Sequence, residues 1–162
     1  MIALEYSHSK GIIHRDLKPE NLVFEESGYL RITAFGVARK KKDNNSEETS
    51  GTPGYMAPEV ICRMNHSFEA DYFALGVIVY EMMMGSRPYN GDSRKEIRDK
   101  ILAHQAKISA KDLPRGWSSQ AMDFVNQLLK RNKESRLGFR GIEEVKNHPW
   151  LSGVSWRRLA RK

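Results

Sequence analysis

The sequence predicts a mainly α-helical domain with one small β-hairpin, on the strength of three stretches. Residues 70–85 hold no charge between Asp71 and Glu81, only Tyr72-Phe73-Ala74-Leu75-Gly76-Val77-Ile78-Val79-Tyr80, and Met82-Met83-Met84 follow. A helix apolar all round belongs at the centre of a domain, and this run is shorter than the roughly 20 apolar residues that cross a bilayer. Ser93 and Ser118 each precede an amphipathic stretch of helical period. Leu22-Val23-Phe24 and Tyr29-Leu30-Arg31-Ile32 flank Glu25-Glu26-Ser27-Gly28, two short apolar runs around a turn ending in glycine, which signals a hairpin.

Composition narrows the class. A chain of 162 residues, 40% hydrophobic and 29% charged, suffices for one domain with its own core. The single Cys62 forbids an internal disulfide and suits a reducing compartment, and the five histidines show no metal-ligand spacing. Residues 1–11 lack a basic region followed by a long apolar run, so neither a signal peptide nor a membrane anchor is expected, and the location expected is cytosolic or nuclear. The net charge of +7 comes without a nucleic-acid motif or a basic patch interleaved with aromatics, so no nucleic-acid partner is expected.

Along the chain, residues 1–9 read as the last turns of a helix carrying Ile2, Leu4 and Tyr6, stopped by Gly11. Residues 37–50 lose all hydrophobic period: Arg39-Lys40-Lys41-Lys42 is followed at once by acidic and polar residues, the pattern of a solvated mobile loop. Ser93 to Glu96 is a Ser-x-x-Glu capping box opening a helix to about Gln105, with Ile97, Ile101 and Leu102 on one stripe. A helix from about Ser118 to Arg131 places Ala121, Phe124, Val125, Leu128 and Leu129 at core spacing, with Ser118 as N-cap. A third, around residues 142–147, ends before His148-Pro149-Trp150-Leu151, with Trp150 a packing residue. The Met triplet reads as core filler, and the basic tail, residues 152–162, as a frayed end.

The chemistry is concentrated in His14-Arg15-Asp16-Leu17-Lys18-Pro19-Glu20-Asn21. A carboxylate able to accept a hydroxyl proton, a cation for a phosphate oxygen and an amide oxygen for Mg²⁺ lie within six residues, beside a proline that fixes the backbone. This stretch resembles the catalytic loop of eukaryotic Ser/Thr protein kinases, and Gly51-Thr52-Pro53-Gly54-Tyr55-Met56-Ala57-Pro58-Glu59 resembles the segment that docks substrate and closes the activation segment. The resemblance covers residues 1–151. It implies a protein kinase-like fold, the C-terminal lobe only, closest in style to cyclic-nucleotide-dependent and related basophilic kinases of the AGC type. It also implies ATP and Mg²⁺ as cofactors and protein substrates.

Carried onto this sequence, the resemblance makes Asp16 the base, Lys18 the phosphate-holding cation, Asn21 a Mg²⁺ ligand and Thr52 the hydroxyl that positions Asp16 and Lys18. Glu20 and Glu81 match acids that bind basic residues of a substrate, with an ordinary surface or capping carboxylate as the alternative for both. Support falls to His14, to Arg15, which meets an activating phosphate, and to Phe35 and Gly36 of the metal-binding loop. Asp71 holds the catalytic-loop backbone, and Glu59 is buried against Arg136. Thr49 and Ser50 are candidate phosphorylation sites. Glu48, three residues before Gly51, stands where many relatives carry the phosphothreonine and is expected either to mimic it in part or to leave the switch to Thr49.

One position departs from the pattern. The metal-binding Asp-Phe-Gly reads Ala34-Phe35-Gly36, and a methyl group offers a hard cation no oxygen. The Gly-rich loop, strand lysine and helix glutamate of the N-terminal lobe are not among these 162 residues either. The expectation is a chain that alone is weakly active or inactive, its open lobe surface covered by an N-terminal lobe or a partner protein. The alternative is a pseudokinase-like docking module that works through the substrate segment and the helix from Ser93, or a truncated relic.

Overall fold

The computed structural model describes residues 1–161. Helix α1 (Ile2–Ser9) leads through a turn at Gly11 to strand β1 (Ile12–Ile13). After the 14–21 segment come β2 (Leu22–Phe24) and β3 (Leu30–Ile32), paired antiparallel with Leu22 opposite Ile32, so the expected hairpin forms. Strand β4 (Arg39–Lys40) returns to pair with β1, Ile12 opposite Lys40. Helices α2 (Pro58–Ile61), α3 (Glu69–Met84), α4 (Arg94–Ala103), α5 (Ser119–Leu128), α6 (Ile142–Lys146) and α7 (Trp156–Arg161) complete the chain.

The uncharged run becomes α3, and it is the centre of the core. Tyr72, Phe73, Val77 and Ile78 are buried, and Gly85 ends the helix in the left-handed conformation that costs glycine nothing. Helix α5 lies against it through the predicted stripe of Ala121, Phe124, Val125 and Leu128. Gly76 makes that approach possible, since a Cβ there would stand 2.8 Å from Leu128 Cβ. In an exposed helix Gly→Ala gains about 1 kcal/mol. Here overpacking outweighs that gain, and Gly76→Ala is expected to lower stability by about 1–2 kcal/mol net, measurable as a fall in the thermal midpoint.

Several boundaries differ from the sequence reading, each for a reason outside the segment. Helix α4 is capped by Ser93, whose Oγ accepts from Glu96 N at 3.1 Å, but the Glu96 carboxylate reaches back to Asp92 N rather than to Ser93 N. It stops at Ala103. Gln105 lies beyond the helix, where its amide donates to Leu129 O and accepts from Arg131 N. Ile97 and Ile101 are buried as expected, whereas Leu102 is 50% exposed and not part of the stripe. Helix α5 ends at Leu128 rather than near Arg131, because Arg131 N donates to Gln105 Oε1 and Gln127 O accepts from Leu137 N, which leaves no bond between those two to continue the helix.

Residues 37–50 are mostly exposed, as expected of a solvated loop, and distant partners also tie the segment to the lobe. β4 lies on β1, Lys41 N donates to Gly11 O, and buried Asn45 donates to Lys42 O and His66 O. Of the methionine triplet, Met83 is buried and Met84 packs on the core, but Met82 is exposed. Trp150 packs on Phe124 and Trp117, while Pro149 opens a short 3₁₀ turn. In the tail, residues 156–161 are helical rather than frayed, and Trp156 Nε1 donates to Lys146 O; Lys162 lies outside the described residues. Among the described residues, no helix is long and apolar enough to cross a membrane.

Candidate active site

The 14–21 segment hangs from the first turn of α3. Asp71 is fully buried, and its two carboxylate oxygens accept from Arg15 N at 2.8 Å and His14 N at 2.9 Å. His8, at the end of α1, adds a third bond to Asp71 at 2.8 Å. These bonds hold Arg15 at a φ of 69°, a left-handed turn that aims the next residue, Asp16, out of the core. The buried His14 ring donates from Nε2 to Thr33 O and accepts from Asp16 N on Nδ1, and Phe35 packs edge-on against it.

Asp16, Lys18, Asn21 and Thr52 meet at one point. Asp16 Oδ1 accepts from Thr52 N at 3.0 Å and from Thr52 Oγ1 at 2.7 Å, and Oδ2 accepts from Asn21 Nδ2 at 3.1 Å. Lys18 Nζ donates to Thr52 Oγ1 at 2.8 Å and stands 3.6 Å from Asp16. Burial pushes the Asp16 carboxyl up, but Thr52, Lys18 and Asn21 together outweigh it and hold the group below its ordinary value. Asp16 is therefore an oriented carboxylate at neutral pH.

Asn21 sits in a 3₁₀ turn opened by Pro19, and its backbone O accepts from both Thr33 N and Thr33 Oγ1. The hairpin thereby carries Ala34 beside Asn21. Ala34 has φ 59° and ψ 57°, a left-handed conformation that costs a residue with a Cβ about 1–2 kcal/mol and that Asp and Asn tolerate better. The backbone at this position thus has the shape of a site for a short polar side chain, and an alanine occupies it.

The residues present fit part of a Mg²⁺ site. Both Asn21 amide hydrogens point at Asp16, which leaves Asn21 Oδ1 uncommitted among the described residues, whereas the Ala34 side chain brings no oxygen. A cavity of about 700 Å³ lies elsewhere, between α1 and the start of α3, and none of Asp16, Lys18, Asn21 or Thr52 lines it.

The activation-segment residues are also placed. The Arg15 side chain, 1% exposed, donates from Nε and Nη2 to Val37 O and from Nη1 to Glu48 Oε2 at 3.1 Å. Arg39 at 3.6 Å and Lys42 at 3.5 Å surround the same carboxylate. Burial pushes Glu48 up, but Arg15 and Lys42 hold it below the usual carboxylate range. Thr49 is partly exposed and Ser50 exposed. Glu59 accepts from Arg136 through both oxygens, at 2.5 and 2.9 Å, in a fully buried fork. Glu20 is exposed, and Glu81 accepts from Tyr55 Oη at 2.5 Å.

Sequence reasoning missed His8, Arg39 and Lys42 as members of these networks. His8 carried no signal beyond a lone histidine at a helix end, and the two cations were absorbed into a basic run.

A profile of the protein kinase domain matches residues 1–151. The chain belongs to the protein kinase family. It is 41% identical over 165 residues to ribosomal protein S6 kinase 2 beta of Xenopus laevis, an alignment that covers 99% of this chain and 25% of that protein. It is 42% identical over 165 residues to ribosomal protein S6 kinase alpha-2 of Homo sapiens, covering 99% of this chain and 22% of the relative. Against a cAMP-dependent protein kinase catalytic subunit-like protein of Caenorhabditis elegans it is 40% identical over 156 residues, 95% of this chain and 38% of the other. The kinase chain thus spans well under half the length of these relatives. Its mainly helical fold with two small two-stranded sheets is that of a C-terminal kinase lobe.

Proposed function

We propose that the chain is the C-terminal lobe of a serine/threonine protein kinase whose family reaction moves the γ-phosphoryl group of ATP to a protein hydroxyl. The observation that carries this reading is the cluster in which Thr52 and Asn21 hold both Asp16 oxygens while Lys18 donates to the Thr52 hydroxyl. Each carboxylate oxygen has two lone pairs, and among the described residues Oδ2 accepts a hydrogen bond from Asn21 alone, so it keeps one for an acceptor hydroxyl and its proton. Lys18 spends one of its three donors on Thr52 and keeps the others for a phosphate oxygen. Mg²⁺·ATP, when bound, supplies the transferable phosphoryl group and the charge that offsets its negative oxygens. Asn21 Oδ1, its amide nitrogen being committed to Asp16, would hold that cation.

Ala34 weakens this site. Losing one positioned charge costs about 10²–10³ in rate, so the chain alone is expected to turn over weakly or not at all. The activation segment is ordered around Glu48, which stands in for a phosphate on Arg15, and Thr49 and Ser50 are then secondary modification sites. The location that suits this reading is the cytoplasm or nucleus.

A second reading, a non-catalytic docking module, draws on the same alanine. A thermal-shift titration with ATP, with and without Mg²⁺, on the chain and on Ala34→Asp separates the two. The kinase reading expects a stabilisation that requires Mg²⁺ and is larger in Ala34→Asp, with any transfer of labelled phosphoryl to a serine peptide stronger in Ala34→Asp than in the chain. No nucleotide effect in either protein selects the docking module.

A further inference from the structure

Resting on the kinase reading of this groove, we infer that Arg87 is a specificity-determining residue that supplies, from within the chain, a cation on the Tyr55 ring beside Glu81, in place of one that Glu81 would otherwise draw from a peptide. The groove then takes hydroxyl acceptors with neutral flanks and gains nothing from Arg or Lys beside the acceptor.

Thr52 is bound to Asp16, so the residues that follow it run directly alongside the proposed base, where the chain flanking an acceptor hydroxyl has to pass. Two residues on, Gly54 is buried beneath the Arg87 side chain. A Cβ at residue 54 would collide with Arg87 Nη1 and stand 2.8 Å from Cζ, so the guanidinium has its seat only because residue 54 is glycine. The same guanidinium lies over the Tyr55 ring, 5.5 Å from its centroid. The Tyr55 hydroxyl donates to Glu81, so the ring carries a cation on its face and a carboxylate at its hydroxyl.

The Tyr55 phenol reports on this arrangement. Burial raises its pKa most, Glu81 and Glu20 raise it further, and Arg87 opposes them, so all three charges act on one ring. Arg87 is also held from behind. It precedes Pro88, which restricts its backbone to extended conformations, and its carbonyl accepts from Asn90 Nδ2 at 2.8 Å. A second cation arriving on a peptide meets repulsion from Arg87 at the place where the Glu81 carboxylate alone would attract it.

The test is fluorescence anisotropy with dye-labelled serine peptides of equal length that carry either Arg or Gln beside the serine. The proteins are the chain, Arg87→Ala and Gly54→Ala, the last displacing the guanidinium without removing it. The chain is expected to bind the two peptides within about twofold of each other, and Arg87→Ala to bind the Arg peptide about tenfold tighter with the Gln peptide unchanged. Gly54→Ala should move the same way by less, and roughly 0.5 M salt should erase the gain. A chain that already favours the Arg peptide tenfold, or a ratio that Arg87→Ala leaves unmoved, overturns the inference. Failure of every peptide to bind any of the three proteins overturns it as well. The kinase reading still stands or falls on the nucleotide titration.

Discussion

Arg136→Met is expected to lower the free energy of unfolding by about 3–5 kcal/mol, a large part of the stability of a domain this size. The guanidinium is fully buried, and it binds both oxygens of an equally buried carboxylate. Removing it strands the Glu59 charge in the core and also frees the carbonyls of Glu69, Lys130 and Arg131. A urea titration followed by circular dichroism reads the shift in midpoint. Adding Glu59→Met should return part of the loss, because no unpaired charge then remains. If the double variant is no more stable than Arg136→Met alone, the three carbonyls and not the charge carry the cost.

Glu48→Lys is expected to open the activation segment. It sets a cation against Arg15, Arg39 and Lys42 and deprives the buried Arg15 guanidinium of one acceptor, which alone costs roughly 1–3 kcal/mol. Amide exchange across residues 37–50 should rise by at least about tenfold while that of α3 is unchanged. pH gives an independent check. Glu48 is held below its ordinary carboxylate range in the folded chain, so its contribution is complete above the unfolded value and disappears as pH falls through the folded one. Segment protection in the parent chain should therefore fall on acidification, and Glu48→Gln should flatten that dependence. Protection that follows phosphate on Thr49 or Ser50 and ignores residue 48 would return the switch to those side chains.

Much of the site was legible because its parts are close in sequence. Asp16, Lys18 and Asn21 occupy six residues, and the proline between them prescribes the turn. Helix faces were legible where one stripe met one core, as at Ala121, Phe124, Val125 and Leu128. What was not legible shares a physical origin in partners far along the chain. Residues 37–50 have no apolar period and are mostly exposed, and nothing in them announces their contacts with β1, Arg15 and His66. Leu102 stands one residue from buried Ile101 and was counted with it, although one step around a helix is enough to leave the core. The helix in the tail depends on Lys146, and the left-handed backbone at Ala34 depends on the hairpin before it; neither leaves a mark in local composition. Arg87 was invisible for a similar reason, since its seat is the missing side chain of Gly54.

The bond from Asp71 to the Arg15 amide spans 56 residues, and that from Arg136 to Glu59 spans 77. Loop closure of this size is entropically costly before any contact repays it. On a ribosome residues 14–21 would emerge long before the helix from which they hang, and Glu59 long before its arginine. Until α3 has been made, Asp16 has no fixed direction, and until residue 136 has followed, the anchoring carboxylate is solvated or protonated. Assembly of the site therefore waits for residues made after Thr52, and until then the reactive side chains are in place along the sequence and not in space.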